Sequence, residues 1–314
     1  MMGDMAPNPV ILDCDPGHDD ALALLLAYAD PRLDLRAVTT VAGNQTLAKV
    51  TDNARRVATL AGIADVPIAA GAERPLVRDL VVAQDVHGRT GLDGADLPDA
   101  RVALSDVPAV DLMRRVITES DRPVTLIPTG PLTNVAQLLR RHPEVAGRIE
   151  QVVWMGGSTA RGNVTPYAEF NAFVDPEAAA DVFASGLSVT MIGLNVTHRA
   201  LATDEVVTRI RAIGSELATT IADLLSFFAS TYERIWGLTA PPVHDAVAVA
   251  RVADPGLIEC AHVPVSIETS GEFTSGATVV DLHARTGRAS NALAAVSVDV
   301  ERFWDLMVDA LAAY

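Results

Sequence analysis

The stretch Pro9-Val-Ile-Leu-Asp-Cys-Asp-Pro-Gly-His-Asp-Asp-Ala21 decides how the rest of the chain is read. An apolar run leads into it and a helix-like run, Ala21 to Tyr28, leads out, so Asp13, Asp15, Asp19 and Asp20 crowd a strand-to-helix turn. The period-2 geometry of a strand puts Asp13 and Asp15 on one face of its end. Pro16-Gly17 makes the turn, and Asp19 and Asp20 fall where the helix begins. Two carboxylates about 5 Å apart repel by roughly 3 kcal/mol at an effective dielectric of about 20. Four of them do not stay ionised together without a cation, shared protons or many donors. One capping Asp with solvated neighbours is the plain alternative. A hard cation that prefers oxygen ligands, Ca²⁺ or Mg²⁺, accounts for all four.

Outward from this turn, strands and helices alternate. Val10–Cys14 is followed by the helix Ala21–Tyr28, the strand Leu35–Val41 by a helical stretch from Leu47 to Ala61, and Val66–Ala70 reads as a third strand. Asp111–Glu119 is helical, Val124–Pro128 a strand, Asn134–Arg141 helical, Gln151–Met155 a strand, Pro176–Ser185 a helix and Ser188–Leu194 a strand. Strands apolar through their length and separated by helices predict an α/β fold with a mostly parallel, Rossmann-like sheet covered on both faces. Val263–Thr269, Ala277–Leu282 and Ala295–Val298 read as extra C-terminal strands, part of them a hairpin, before a closing helix from Val300 to Ala313. Asp204 to Leu238 has helical periodicity and predicts a helical cap. The long polar segment Glu73 to Pro98 predicts a functional loop. With no repeat or linker, residues 9–314 read as one domain behind a short disordered lead, residues 1–8.

The 314 residues carry a formal net charge of -16. Polyanions bind through clustered Lys and Arg, so nucleic acid and anionic membranes are not expected partners. Arg55-Arg56 and Arg140-Arg141 read as solvated helix surface. Cys14 and Cys260 are the only cysteines, which gives no disulfide framework and suits a reducing cytoplasm; Cys14 reads as a buried strand thiol. No apolar stretch reaches the roughly 18 residues that cross a bilayer, and no signal-peptide pattern opens the chain.

In an open α/β sheet, ligands bind beyond the carboxyl ends of the strands. After the second strand comes Val41-Ala-Gly-Asn44; after Val124–Pro128 comes Thr129, a source of a carbonyl oxygen, with a capping Thr133 or Asn134 as the alternative. After Gln151–Met155 come Gly156-Gly157 and an insertion with Asn163, Glu169, Phe170 and Asn171, and Val243-His-Asp245 precedes an apolar helix. Each is weak alone, since a His-Asp pair before a helix is usually an N-cap. Together they surround a cation with groups that bind hydroxyls, which suits a sugar. Neither a Walker loop nor a Gly-x-Gly-x-x-Gly turn is present.

On these residues the chain resembles the inosine-uridine-preferring nucleoside hydrolases. Asp13-Cys-Asp-Pro-Gly-His-Asp-Asp20 carries the signature, and the likeness continues through Thr39-Thr-Val-Ala-Gly-Asn-Gln-Thr46, Pro128-Thr-Gly-Pro-Leu-Thr-Asn134, Trp154-Met-Gly-Gly157, Ala168-Glu-Phe-Asn171, Asp175-Pro-Glu-Ala178 and Val243-His-Asp245. The resemblance implies Ca²⁺-dependent hydrolysis of the N-glycosidic bond of ribonucleosides. It implies metal ligation by Asp15, Asp20, the Thr129 carbonyl and Asp245, with Asp15 as general base for a metal-bound water. It places Asp19, Asn44, Asn163, Glu169 and Asn171 on the ribose, with Met155 and Phe170 packing nearby. His244 is expected to protonate the leaving base, Asp13 to support the ligands from behind, and His87 to lie on a loop that closes over the substrate. A cytoplasmic homodimer or homotetramer of salvage metabolism is the corresponding expectation. Phe228, Tyr232 and Trp236 recur at helical spacing and read first as core, with Tyr232 a candidate for the base pocket. Base preference does not follow. A non-catalytic nucleoside-binding protein and an Asp-x-Asp phosphohydrolase are the alternatives. The intact Asp15, Asp20, His244 and Asp245 disfavour the former, and the acidic surroundings and Pro16-Gly17 disfavour the latter.

Overall fold

The computed structural model describes residues 6–314. Its centre is an eight-stranded sheet built from β1 (Asn8–Cys14), β2 (Leu33–Thr40), β3 (Ile68–Ala70), β4 (Val124–Pro128), β5 (Ile149–Met155), β6 (Val189–Ile192), β7 (Ile258–Val263) and β10 (Ala292–Val298). The strand order is β3-β2-β1-β4-β5-β6-β10-β7. All pairings are parallel except that of β10 with the edge strand β7. The remaining strands, β8 (Val265–Ile267) and β9 (Thr278–Val280), form the expected antiparallel hairpin apart from the main sheet.

Successive residues of β1 serve opposite cores. Val10, Leu12 and Cys14 enter the apolar cluster shared with the helices His18–Ala29, Glu216–Trp236, Asp245–Ala253 and Val300–Ala312. Ile11 enters the one shared with Ala109–Glu119, Thr133–Arg141 and Pro176–Ala184. This is why the central strands are apolar throughout: both faces are covered. The order runs outward in both directions from the β1–β4 pair, so the chain reverses its winding there. The crevice beyond the carboxyl ends of β1 and β4 is therefore where a doubly wound sheet opens to a ligand.

The structure departs from the sequence reading in places, each with a local cause. The first helix starts at His18 rather than Ala21 because Asp20, in its first turn, accepts the Gly17 amide at 3.0 Å and satisfies one orphan donor of the helix start. Residues 1–5 of the expected lead lie outside the described residues. Asn8 does not belong to a disordered lead: its amide donates to the Arg32 carbonyl at 2.8 Å and extends the ladder with β2. The polar segment after β3 holds a short helix, Gln84–His87, and the cap is two helices, Asp204–Arg211 and Glu216–Trp236. Capping by Thr133 or Asn134 does not occur. Thr133 donates to Asp175, and Asn134 spans Asp13 and the Thr40 carbonyl, tying β1, β2 and β4 together below the crevice. Among the described residues no helix is long and apolar enough to cross a membrane.

Candidate active site

The crevice at the β1–β4 switch holds a cavity of about 220 Å³. Its floor is acidic. Asp19, Asp20 and Asp245 each bring a carboxylate oxygen within 4.8 Å of the others. Two of these come from the start of one helix, and the third from the first residue of the helix Asp245–Ala253, which packs beside it. The cluster joins residues more than two hundred positions apart because both helices start above the same strand ends.

Asp20, Asp19 and the neighbouring Asp15 are each held by specific donors. Asp20 accepts the Thr129 hydroxyl at 2.8 Å, the Gly17 amide at 3.0 Å and the Asn44 side-chain amide at 3.3 Å. Asp19 accepts the His244 amide at 3.2 Å. Asp15 lies just beneath and accepts the Asn44 backbone amide at 2.6 Å through one oxygen, while its other oxygen is buried with no partner. Gly43 makes this approach possible, since a Cβ there would lie 2.1 Å from the bonded oxygen of Asp15. Below the cluster, Asp13 accepts the Thr39 hydroxyl at 2.7 Å and Asn134 at 2.8 Å.

Burial drives the electrostatics. Asp13 and Asp19 are pushed up to about 7 by desolvation, Asp19 also by the charge of Asp20. Asp15 and Asp245 are pushed well above the usual carboxylate range by burial and then by neighbouring carboxylates, and Asp20 is raised by burial. A divalent cation among these oxygens reverses the sign of that effect, stabilising the ionised forms that burial disfavours. Convergent hard oxygens and an orphaned buried oxygen on Asp15 fit such a cation.

The expected substrate residues come together on the cavity wall. Asp19, Asn44, His87, Thr129, Met155, Asn163, Glu169, Phe170, Asn171, Tyr232, His244 and Asp245 all line it, while Asp15 and Asp20 lie in the floor behind them. Several also have structural duties that the sequence did not disclose. Glu169 caps the helix Phe170–Val174, accepting the amides of Asn171 and Ala172, and also accepts Gly157 at 2.8 Å. Asn171 donates to the Thr129 carbonyl at 2.8 Å and the Met155 carbonyl at 3.0 Å, tying the ends of β4 and β5 together. The Thr129 carbonyl retains a second lone pair for another partner. Asn163 accepts the Phe170 amide at 3.0 Å on the rim.

Part of the wall is aromatic. Phe228, Tyr232 and Trp236, read first as core, line the cavity from the helix Glu216–Trp236, although Phe228 is also fully buried. Tyr232 stands edge-on to Phe228 and places its hydroxyl 3.2 Å from His244 Nε2. His244 sits between Tyr232 and Thr197, whose hydroxyl is 2.7 Å from Nδ1. Burial lowers the His244 imidazole to about 3. Thr197 is fully buried, and His244 is the only partner of its hydroxyl among the described residues, so it donates to Nδ1. That leaves the ring proton on Nε2, toward Tyr232 and the cavity. Sequence reasoning missed Thr197: it lies in a short helix, Leu194–Thr197, that carries no local signal of chemistry.

Known proteins resemble this chain in sequence and in fold. Residues 10–305 match the family model of the inosine-uridine preferring nucleoside hydrolases. The chain is 51% identical over 309 residues to the pyrimidine-specific ribonucleoside hydrolase RihA of Shewanella sp. (strain ANA-3), covering 98% of this chain and 97% of the relative. It is 50% identical over 307 residues to RihA of Enterobacter sp. (strain 638), covering 98% of each. Among solved structures, a purine-preferring ribonucleoside hydrolase from Gardnerella vaginalis superposes with a TM-score of 0.91 at 31% identity, covering 97% of this chain and 98% of that one. A plant nucleoside hydrolase, PpNRh1, also reaches 0.91, at 30% identity, covering 98% and 100%.

Proposed function

The chain belongs to the inosine-uridine preferring nucleoside hydrolases, and from that premise we propose that its substrates are pyrimidine ribonucleosides, uridine and cytidine, cleaved with the help of Ca²⁺. It is a ribonucleoside hydrolase, an enzyme of nucleoside catabolism that breaks the N-glycosidic bond, and the family depends on a metal. Support for pyrimidine bases comes from relatives at 50–51% identity named for that specificity, against about 31% for the purine-preferring structure. The observation that carries the site assignment is that Asp19 and Asp245 of the acidic cluster, His244 and the aromatic residues Phe228, Tyr232 and Trp236 line one cavity. Residues 8–314 act as one catalytic domain in this reading, in a cytoplasmic homo-oligomer.

Asp15, Asp20, Asp245 and the Thr129 carbonyl would hold the cation, with Asp19 close enough to share in its field. When bound, such a cation lowers the pKa of water and fixes vicinal hydroxyls. Asp15 takes the proton from the attacking water, its orientation set by the Asn44 amide. Asp19, Asn44, Asn163, Glu169 and Asn171 hold the ribose hydroxyls, and Met155 and Phe170 pack around the ring. Carboxylates and amide oxygens beneath the sugar stabilise the positive charge of an oxocarbenium-like transition state. Direct attack by water leaves no covalent intermediate, so the anomeric centre inverts.

His244 assists the leaving base. Burial holds it neutral, and Thr197 keeps its proton on Nε2, so it offers the base one directed N–H. Tyr232 lies beside that N–H and His87 faces the same cavity from the covering segment.

Release of free base from uridine, cytidine, inosine, adenosine and guanosine tests the proposal, with 2′-deoxyuridine and UMP as controls. Uridine and cytidine should be cleaved with the highest kcat/KM and both controls largely spared. A clear preference for inosine or guanosine would overturn the pyrimidine assignment and leave the reaction class standing.

A further inference from the structure

We infer that His18 is a positioning residue that holds the segment 81–94 shut over the cavity, clamping it to the same helix start that presents Asp19 and Asp20. The inference rests on the reading of this cavity as the nucleoside site. It goes beyond it in assigning a task to a residue that touches none of the reacting groups.

His18 is the first residue of the helix His18–Ala29, and its side chain is fully buried away from the cavity lining. Its Nε2 lies 2.8 Å from the Asp93 carbonyl. A carbonyl only accepts, so Nε2 carries a proton and donates it. The His18 backbone amide donates to His87 Nδ1 at 3.4 Å, and His18 Nδ1 lies 3.3 Å from that same nitrogen. His18 thus holds the polar turn of the covering segment through its imidazole, and the helical turn through its backbone amide and the contact of the two rings.

Stacking reinforces the grip. The His18 ring is nearly parallel to His87, Phe227 and Phe228, with centroids 5.5, 5.5 and 4.9 Å away. Phe227 and Phe228 belong to the cap helix Glu216–Trp236, so the ring is the common neighbour of the segment, the cap and the acidic floor. Gly17 allows the closeness, since a Cβ there would lie 2.5 Å from His87 Nδ1. The far turn is preorganised by Asp93, whose carboxylate accepts the amides of Arg89 at 2.9 Å and Thr90 at 3.0 Å and also bonds the Thr90 hydroxyl. That turn aims the Asp93 carbonyl back at His18.

The consequence is mechanical. Val81, Val82, Val86 and His87 form one side of the cavity, and their placement depends on contacts made outside it. Loss of His18 should therefore free the segment without altering any group that touches the ribose.

The test is His18→Phe, which keeps a stacking ring and removes the imidazole's bond to Asp93 and its contact with His87 Nδ1. Hydrogen exchange of backbone amides in residues 84–94 should speed up by about tenfold or more in the variant, and KM for uridine should rise about tenfold, several times further than kcat changes. Unchanged exchange in this segment would overturn the inference. Faster exchange with an unmoved KM would uphold the clamp and overturn instead the placement of His87 and its neighbours against substrate. Should His18→Phe fail to fold, the wild-type enzyme decides: ¹⁵N spectra should show a protonated His18 Nε2, and an unprotonated Nε2 would remove the bond to Asp93 and the inference with it.

Discussion

The Thr197 hydroxyl lies 2.7 Å from Nδ1 of His244, and through that bond a residue outside the cavity decides which edge of the imidazole carries the proton. With Nδ1 occupied as an acceptor, Nε2–H points to the space beside Tyr232 where a leaving base would emerge. Thr197→Val removes the donor at nearly constant volume. Its kcat on uridine should fall about tenfold, the scale of one lost hydrogen bond to a catalytic group, while Thr197→Ser stays near wild type. A nitrophenyl riboside, whose leaving group needs no proton, should be hurt far less. Equal losses on both substrates would remove the Thr197–His244 pair from departure of the base.

Asp15→Asn should fold as the wild type does, because the Asn44 amide can still be accepted by the side-chain carbonyl. Turnover should drop by about 10²–10⁴-fold, the range expected for loss of a general base. Circular dichroism and initial rates check this together. A near-normal kcat would require another group to take the proton from water.

Gly43→Ala tests how tightly Asp15 is seated. The added methyl would lie 2.1 Å from Asp15 Oδ2 and 2.8 Å from Pro131. Stability should fall by about 1–3 kcal/mol, the usual scale of overpacking. Activity should fall much further than stability, since the carboxylate must turn away from Asn44. If activity and stability declined in proportion, the close approach would have no catalytic meaning.

The acidic floor predicts how the metal-free protein responds to pH. Asp13, Asp19 and Glu169 are raised to about 7 by burial, and Asp15 and Asp245 lie well above the usual range. Raised carboxyl values mean that the folded chain holds more protons than the unfolded one, so this contribution to stability is lost as pH rises through the folded values. Buried His18 and His244, lowered to about 4 and about 3, and His87, also lowered, act in the opposite sense, but their effect is complete above the unfolded value of 6.5. Between about pH 7 and 8.5 the carboxylates dominate, and the buried Cys14 thiol, also pushed up, acts in the same direction toward the upper end. The Tm of EDTA-stripped protein should fall across this window by roughly 5 °C or more. Added Ca²⁺ should abolish the fall. A flat or rising Tm in stripped protein would mean that the floor is not burdened by buried carboxyl groups.

Much of the site was legible because its parts obey local rules. An acidic turn at the end of an apolar strand, Asp13 to Asp20, has one physical place in a parallel sheet, at the carboxyl end of β1. The same rule located Asn44, Thr129 and Asn171 at the ends of neighbouring strands, and the cavity brings them together. The resemblance carried their chemical roles. Where local rules compete, the reading was less complete. The aromatic spacing from Phe228 to Trp236 fits a core face as well as a wall, and the structure uses Phe228 for both. Glu169, expected on the ribose, is also a helix cap, because a carboxylate at that position can satisfy several free amides at once.

By itself the sequence determined the doubly covered parallel sheet, the acidic turn at its heart and the family, since these depend on hydrophobic period, turn chemistry and a contiguous signature. Only the tertiary structure decided that Asp19 joins Asp20 and Asp245 in one cluster, that Thr197 sets the proton on His244, and that His18 grips Asp93 and His87. Asp245 lies 226 residues from Asp19, His244 lies 47 from Thr197, and Asp93 lies 75 from His18. No period or local propensity encodes such pairings; they arise when burial forces polar groups from distant elements to satisfy one another.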